Sequence, residues 1–125
     1  MKLLEYLTII RKAVEKLEDY GFAEAIDIQE EIRAGKQAVL RIRIVFVDGS
    51  ALHMKEYIDD KQGIEKLSYA YQYQDENGTL IFRYDNAAHK PALSTKEHKH
   101  LSSGEIVETS PPDINDLVDE IIGCL

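Results

Sequence analysis

The sequence predicts an α+β fold: an antiparallel β-meander of about five strands, with an N-terminal and a C-terminal helix packed on one face. Three observations predict it. An apolar stripe at helical spacing opens the chain, a second one closes it, and the residues between them alternate apolar and polar in runs joined by short turns. Short links favour antiparallel neighbours, because a parallel crossover needs a dozen or more residues. Two helices and one sheet must bury their apolar faces against each other, so both helices are expected on the same side. The 125 residues suit a single domain, 1–125, large enough to bury roughly two thirds of its unfolded surface.

The first helix runs from residue 3 to about 20, where Leu3, Leu7, Ile10, Val14 and Leu17 make one stripe and Tyr6, Ala13 and Tyr20 widen it. Gly21 is the expected stop, since glycine takes the left-handed conformation just past a helix end. From Phe22 the period becomes two. Residues 25–33 alternate through Ile26, Ile28 and Ile32. Residues 37–47 place Leu40, Ile42, Ile44 and Phe46 on one face and Val39, Arg41, Arg43, Val45 and Val47 on the other. Asp48-Gly49 marks a hairpin into a third strand, 50–58, with Leu52, Met54 and Ile58 on one face. Residues 67–74 form a fourth, with Tyr69, Tyr71 and Tyr73 packing on the sheet face, and Asn77-Gly78 turns into a fifth at 79–84. The segment 59–66 is the loosest link. The last helix is read from SPPDINDLVDEII, with Ser110 as cap, Pro111 in the first turn and Asp113 at capping-box spacing.

Composition narrows the function classes. A net charge of −8 argues against broad, non-specific nucleic-acid binding, which depends on neutralising phosphates, but leaves room for a small anion site. The single cysteine, Cys124, cannot form an internal disulfide, so a reducing cytoplasm is the simplest setting. Glu5, Arg11 and Lys12 stand where a secretory leader would need an uncharged core, and no apolar run is long enough to span a membrane.

One stretch departs from this acidic background. RYDNAAHKPALSTKEHKH, residues 83–100, holds three of the four histidines, with Arg83, Lys90, Lys96 and Lys99 against Asp85 and Glu97. Four cations against two acids leave it +2, and the remainder of the chain −10. On an extended strand Arg83 and Asp85 share a face, either paired with each other or with Arg83 offering its planar fork to a phosphate or carboxylate while Asp85 orients a histidine or ligates a metal. His98-Lys99-His100, if extended, projects two imidazoles from one face. Such a pair suits one divalent metal or a division of general acid and base roles, because an unperturbed imidazole titrates near neutrality. Taken alone, solvated loop histidines are the commoner explanation of an H-x-H. His53, flanked by Leu52 and Met54, reads as structural. No metal or cofactor identity follows from these residues.

The words YAYQYQDENGTLIFRYDNAAHKP and HKH, followed by an acidic C-terminal helix, resemble the TumE family of toxin–antitoxin proteins. The resemblance is sharpest over residues 69–100 and rests on Arg83, Tyr84, Asp85, Asn86, Ala87, His89, His98, Lys99 and His100. Ala88, Lys90 and Lys96-Glu97 depart from the family pattern. The resemblance implies a type II toxin neutralised by a helix-turn-helix antitoxin. From the residue types, the chemistry that would suit such a toxin is RNA phosphodiester cleavage: His98 and His100 trade a proton, Asp85 fixes a tautomer, Arg83 and Lys99 hold the phosphate, and His89 completes the candidate set. The competing expectation is a non-enzymatic module that binds a partner protein, or a second copy of itself, through the cationic loop or an exposed sheet edge.

Overall fold

A computed structural model describes residues 2–87 and 97–125. Helix α1 (Leu3–Asp19) leads into a sheet of β1 (Ala23–Arg33), β2 (Gln37–Phe46), β3 (Ala51–Asp59), β4 (Glu65–Gln74), β5 (Leu80–Asp85), β6 (His98–Leu101) and β7 (Ile106–Glu108), and α2 (Ile114–Ile122) closes the chain. The strands lie side by side in sequence order, every neighbour antiparallel. The expected meander is present, with seven strands rather than about five. The two unforeseen ones carry four and three residues, too few for an alternation to register in the sequence.

Both helices cover one face, as expected. Leu7, Ile10, Val14 and Leu17 of α1 and Leu117 and Ile121 of α2 are buried against Leu40, Ile42, Ile44 and Phe46, against Leu52, Met54 and Ile58, and against the β4 and β5 aromatics. Burying each such aliphatic side chain contributes about 1.5–3 kcal/mol. Tyr69, Tyr71 and Tyr73 belong to this core, and Tyr73 meets Phe82 with ring centroids 5.5 Å apart. No described helix is long and apolar enough to cross a membrane.

Two local details differ from the sequence reading. Helix α2 starts three residues later than expected, and its cap is Asp113, whose side chain accepts a hydrogen bond from the Asp116 amide at 2.8 Å. Pro112 explains the shift: a residue that precedes proline is pushed into extended backbone, so Pro111 cannot begin the helix. The loose link contracts to residues 60–64, because β3 runs on to Asp59 and β4 begins at Glu65.

Gly49 has both a left-handed backbone (φ 85°) and no room for a side chain, since an added Cβ would lie 2.9 Å from the Glu76 Cβ. Gly21 is equally left-handed (φ 77°) but has open space around it. Gly49→Ala is therefore expected to lower stability by about 2–3 kcal/mol and Gly21→Ala by about 1. Urea midpoints of the two variants check the ordering; equal losses would mean that Glu76 yields freely.

Candidate functional site

The face away from the helices carries the site. Alternation along β5 sends Phe82 and Tyr84 into the core and Arg83 and Asp85 to the open side. Antiparallel pairing with β6 then sets Arg83 opposite His100 and Asp85 opposite His98. Three side chains from two adjacent strands, Arg83, His98 and His100, meet on the Asp85 carboxylate.

Asp85 is buried, and its two oxygens organise the cluster. Oδ2 accepts a hydrogen bond from Arg83 Nε at 2.7 Å and lies 3.3 Å from His100 Nε2. Oδ1 lies 2.5 Å from His98 Nε2 and accepts from the Ala87 amide at 3.1 Å. The two imidazoles stand edge to face, with centroids 5.0 Å apart. Burial by itself would raise the Asp85 carboxyl, but the hydrogen bonds from Arg83 and Ala87 and the charges of His98 and Arg83 outweigh it and hold the group below the usual carboxylate range. Arg83 is fixed from its other side too, its Nη1 donating to Gln72 Oε1 at 2.8 Å. The pairing of Arg83 with Asp85 and the orientation of a histidine by Asp85, posed as alternatives by the sequence, are both present.

The two histidines differ in access. The His98 side chain is wholly enclosed, whereas that of His100 keeps 21% of its surface. Lys99 does not join them. The alternation that aligns the imidazoles sends Lys99 to the helix-covered side, where its Nζ lies 2.6 Å from Glu120 Oε2 and 4.8 Å from the centre of the Tyr84 ring. It belongs to a β6–α2 tie in which Tyr84 also donates to Glu120, at 2.6 Å. His89 lies outside the described residues, as do Lys90 and Lys96. Asn86 serves the scaffold: its Oδ1 accepts from the Tyr69 amide and its Nδ2 donates to the Leu67 carbonyl.

Chemically, the arrangement offers a fixed carboxylate, a buried imidazole locked to it, a partly open imidazole and a guanidinium with free donors. A carboxylate and two imidazoles can also ligate a divalent ion, and the donor atoms of Asp85, His98 and His100 all lie within 4.8 Å of one another.

Two concavities flank Arg83. One of about 260 Å³ is lined by Lys55, Tyr69, Arg83, Asp85 and Asn86 among others. The other, of about 460 Å³, lies over the middle of the open face and takes in Arg41, Arg43, His53, Lys55, Gln72 and Arg83. Neither imidazole of the cluster lines these two. Apart from Arg83 and Asp85, these residues are not among the site members expected from the sequence. The signal was there: R-x-R opposite the apolar side of β2 puts two arginines on the face that no helix covers. His53 shares that face, and partial burial followed by the nearby Arg43 charge pushes its imidazole down, which favours the neutral ring.

A family model described as Toxin TumE matches residues 10–124. Comparison with curated proteins and with solved structures returns no match. The family match spans nearly the whole chain and takes in both strands that build the cluster, so the chain belongs to the TumE toxin family.

Proposed function

We propose that this toxin arrests growth by cleaving RNA phosphodiester bonds at the Asp85–His98–His100–Arg83 cluster, and that a helix-turn-helix antitoxin encoded beside it restrains the reaction. The supporting observation is the convergence of two imidazoles and a guanidinium on one buried carboxylate beside an open concavity. Asp85 and His98 act as a positioning pair. His100, the imidazole that solvent reaches, takes the proton from an RNA 2′-hydroxyl. The 2′-oxygen bonds to the adjacent phosphorus, the bond to the 5′-oxygen breaks, that leaving oxygen takes a proton from water, and His100 gives its acquired proton back to the solvent. Arg83 meets the charge that develops on the non-bridging oxygens, which fixed donors stabilise most when already aimed.

Expression of the chain alone, and with its neighbouring gene product, tests the reading. His100→Ala should abolish growth arrest and slow cleavage by roughly 10²–10⁴-fold, the usual cost of losing a positioned acid or base. Undiminished arrest in that variant would sink the assignment. It would then favour the non-enzymatic module, in which the histidines are bystanders to partner binding.

A second reading has the same three donor groups hold a divalent ion that activates water. The two part on substrate and additive. The imidazole route needs the 2′-hydroxyl and leaves a cyclic phosphate. The metal route cuts a strand with 2′-deoxy at the scissile position and stops when a chelator is added.

A further inference from the structure

The open face of the sheet carries a cationic ladder that leads away from the cluster. Register places Arg43 opposite His53, His53 opposite Gln72, Gln72 opposite Arg83, and Arg83 opposite His100. Beside this row Arg41 stands opposite Lys55, Lys55 opposite Ala70, and Ala70 opposite Asp85. From β2 to β5 the ladder crosses three inter-strand steps, about 14 Å. The 460 Å³ concavity over it is lined by four cationic residues and one acid, Asp27, in a chain whose net charge is −8.

Two features set this cluster against the needs of the fold. Arg41 and Lys55 are like charges directly opposite on neighbouring strands, an arrangement that destabilises a sheet. Among the described residues, no ion pair joins Arg41, Arg43 or Lys55 to an acid, although acids outnumber cations in the chain by 23 to 15. Like charge gathered at a cost, with Asp27 opposite Arg43 as the one acid lining the concavity, calls for a polyanion.

We propose that this face binds the backbone of single-stranded RNA, with successive phosphates held by Arg43, Arg41 and Lys55 while the scissile one lies at Arg83 and His100. The inference rests on the reading of the cluster as an RNA-cleaving site and names how its substrate lies. Single-stranded form follows from the proposed cleavage, since attack by a 2′-hydroxyl in line with the leaving oxygen needs a backbone freer to turn than a duplex allows. The concavity has no Phe, Tyr or Trp in its lining and His53 is its one ring, so contact is chiefly with phosphates and not with stacked bases. Binding is therefore indifferent to sequence and sensitive to salt.

The test uses the full chain carrying His100→Ala, which keeps the strand intact, and a short mixed-sequence single-stranded RNA with a fluorescent end. Four phosphate contacts predict that log K falls against log salt with a slope of about −3, at roughly 0.7 per contact on a single strand. Adding Arg41→Gln, Arg43→Gln and Lys55→Gln together should flatten the slope by about 2. Lys55→Gln alone should flatten it by about 0.7, which guards against a triple variant that fails to fold. An unchanged slope in both, or no RNA binding by any form, overturns the proposal. So does loss of antitoxin binding in the triple variant with RNA binding intact, which would assign the face to an acidic surface of the protein partner. The two readings fail separately. Salt-dependent binding as expected, with no cutting by the His100-intact chain, upholds the track and sinks the cleavage. Cutting with an unchanged slope in the triple variant does the reverse.

Discussion

Asp85→Ala is expected to remove toxicity and to cost about 3 kcal/mol of stability, the two effects arising from one carboxylate. The side chain is buried and accepts from Arg83 and the Ala87 amide while facing both imidazoles. Removing one partner of a buried charged pair costs about 3–5 kcal/mol. The lower end applies here because Arg83 keeps 35% of its surface and can turn to water. The loss should follow pH in a defined direction. Asp85 titrates below its ordinary value in the folded chain, so its stabilisation is fully present above the unfolded value of about 4 and disappears as pH falls through the lower folded one. The gap between wild type and Asp85→Ala should thus close in acid. Urea unfolding across pH checks it; a gap that widens in acid would mean that the carboxylate is held protonated. Activity should fall further than stability explains, because His98 and His100 lose the group that sets their orientation.

Much of this site could be seen in the sequence, for a simple reason. Period-two alternation needs no tertiary knowledge, and it put Arg83 with Asp85 and His98 with His100. The missing step was register. Nothing in residues 83–100 says that β6 pairs directly with β5, because the strand is four residues long and the segment between gives no turn signal of fixed length. Lys99 shows the same rule applied incompletely: alternation that aligns its two neighbours must turn it to the other face. The basic ladder was hidden differently. Arg41, Arg43 and Lys55 lie on separate strands, and their grouping depends on lateral pairing of segments that look like ordinary half-exposed strands when read singly. The fold itself was legible where segments were long. Strands of nine to eleven residues and a 17-residue helix declare their period, while β7, with three residues, does not.

Glu56 provides the second large expected effect, on the face of the sheet opposite the cluster. Its position on β3 continues the apolar series of Leu52 and Met54, so an acid there must be fully enclosed under the helices, and it is. Its charge is met from three sides. The Tyr6 hydroxyl donates to Oε1 at 2.5 Å, the Tyr71 hydroxyl donates to Oε2, and Lys66 Nζ stands 3.3 Å from Oε2. Burial first, and then the neighbouring carboxylate, push both tyrosine hydroxyls up, so they remain donors across the physiological range. Glu56→Ala strands two phenols and a mostly covered ammonium together, and should destabilise by about 3–5 kcal/mol. Most of that cost belongs to the partners left behind rather than to the strength of the original contacts. If so, combining Glu56→Leu with Tyr6→Phe and Tyr71→Phe should recover most of the stability, since the enclosed hydroxyls are gone and only Lys66 must find water. Denaturation midpoints for the single and the triple variant decide it. A triple variant as unstable as Glu56→Ala would show instead that the carboxylate, through Tyr6 of α1, is what seats the first helix on the sheet.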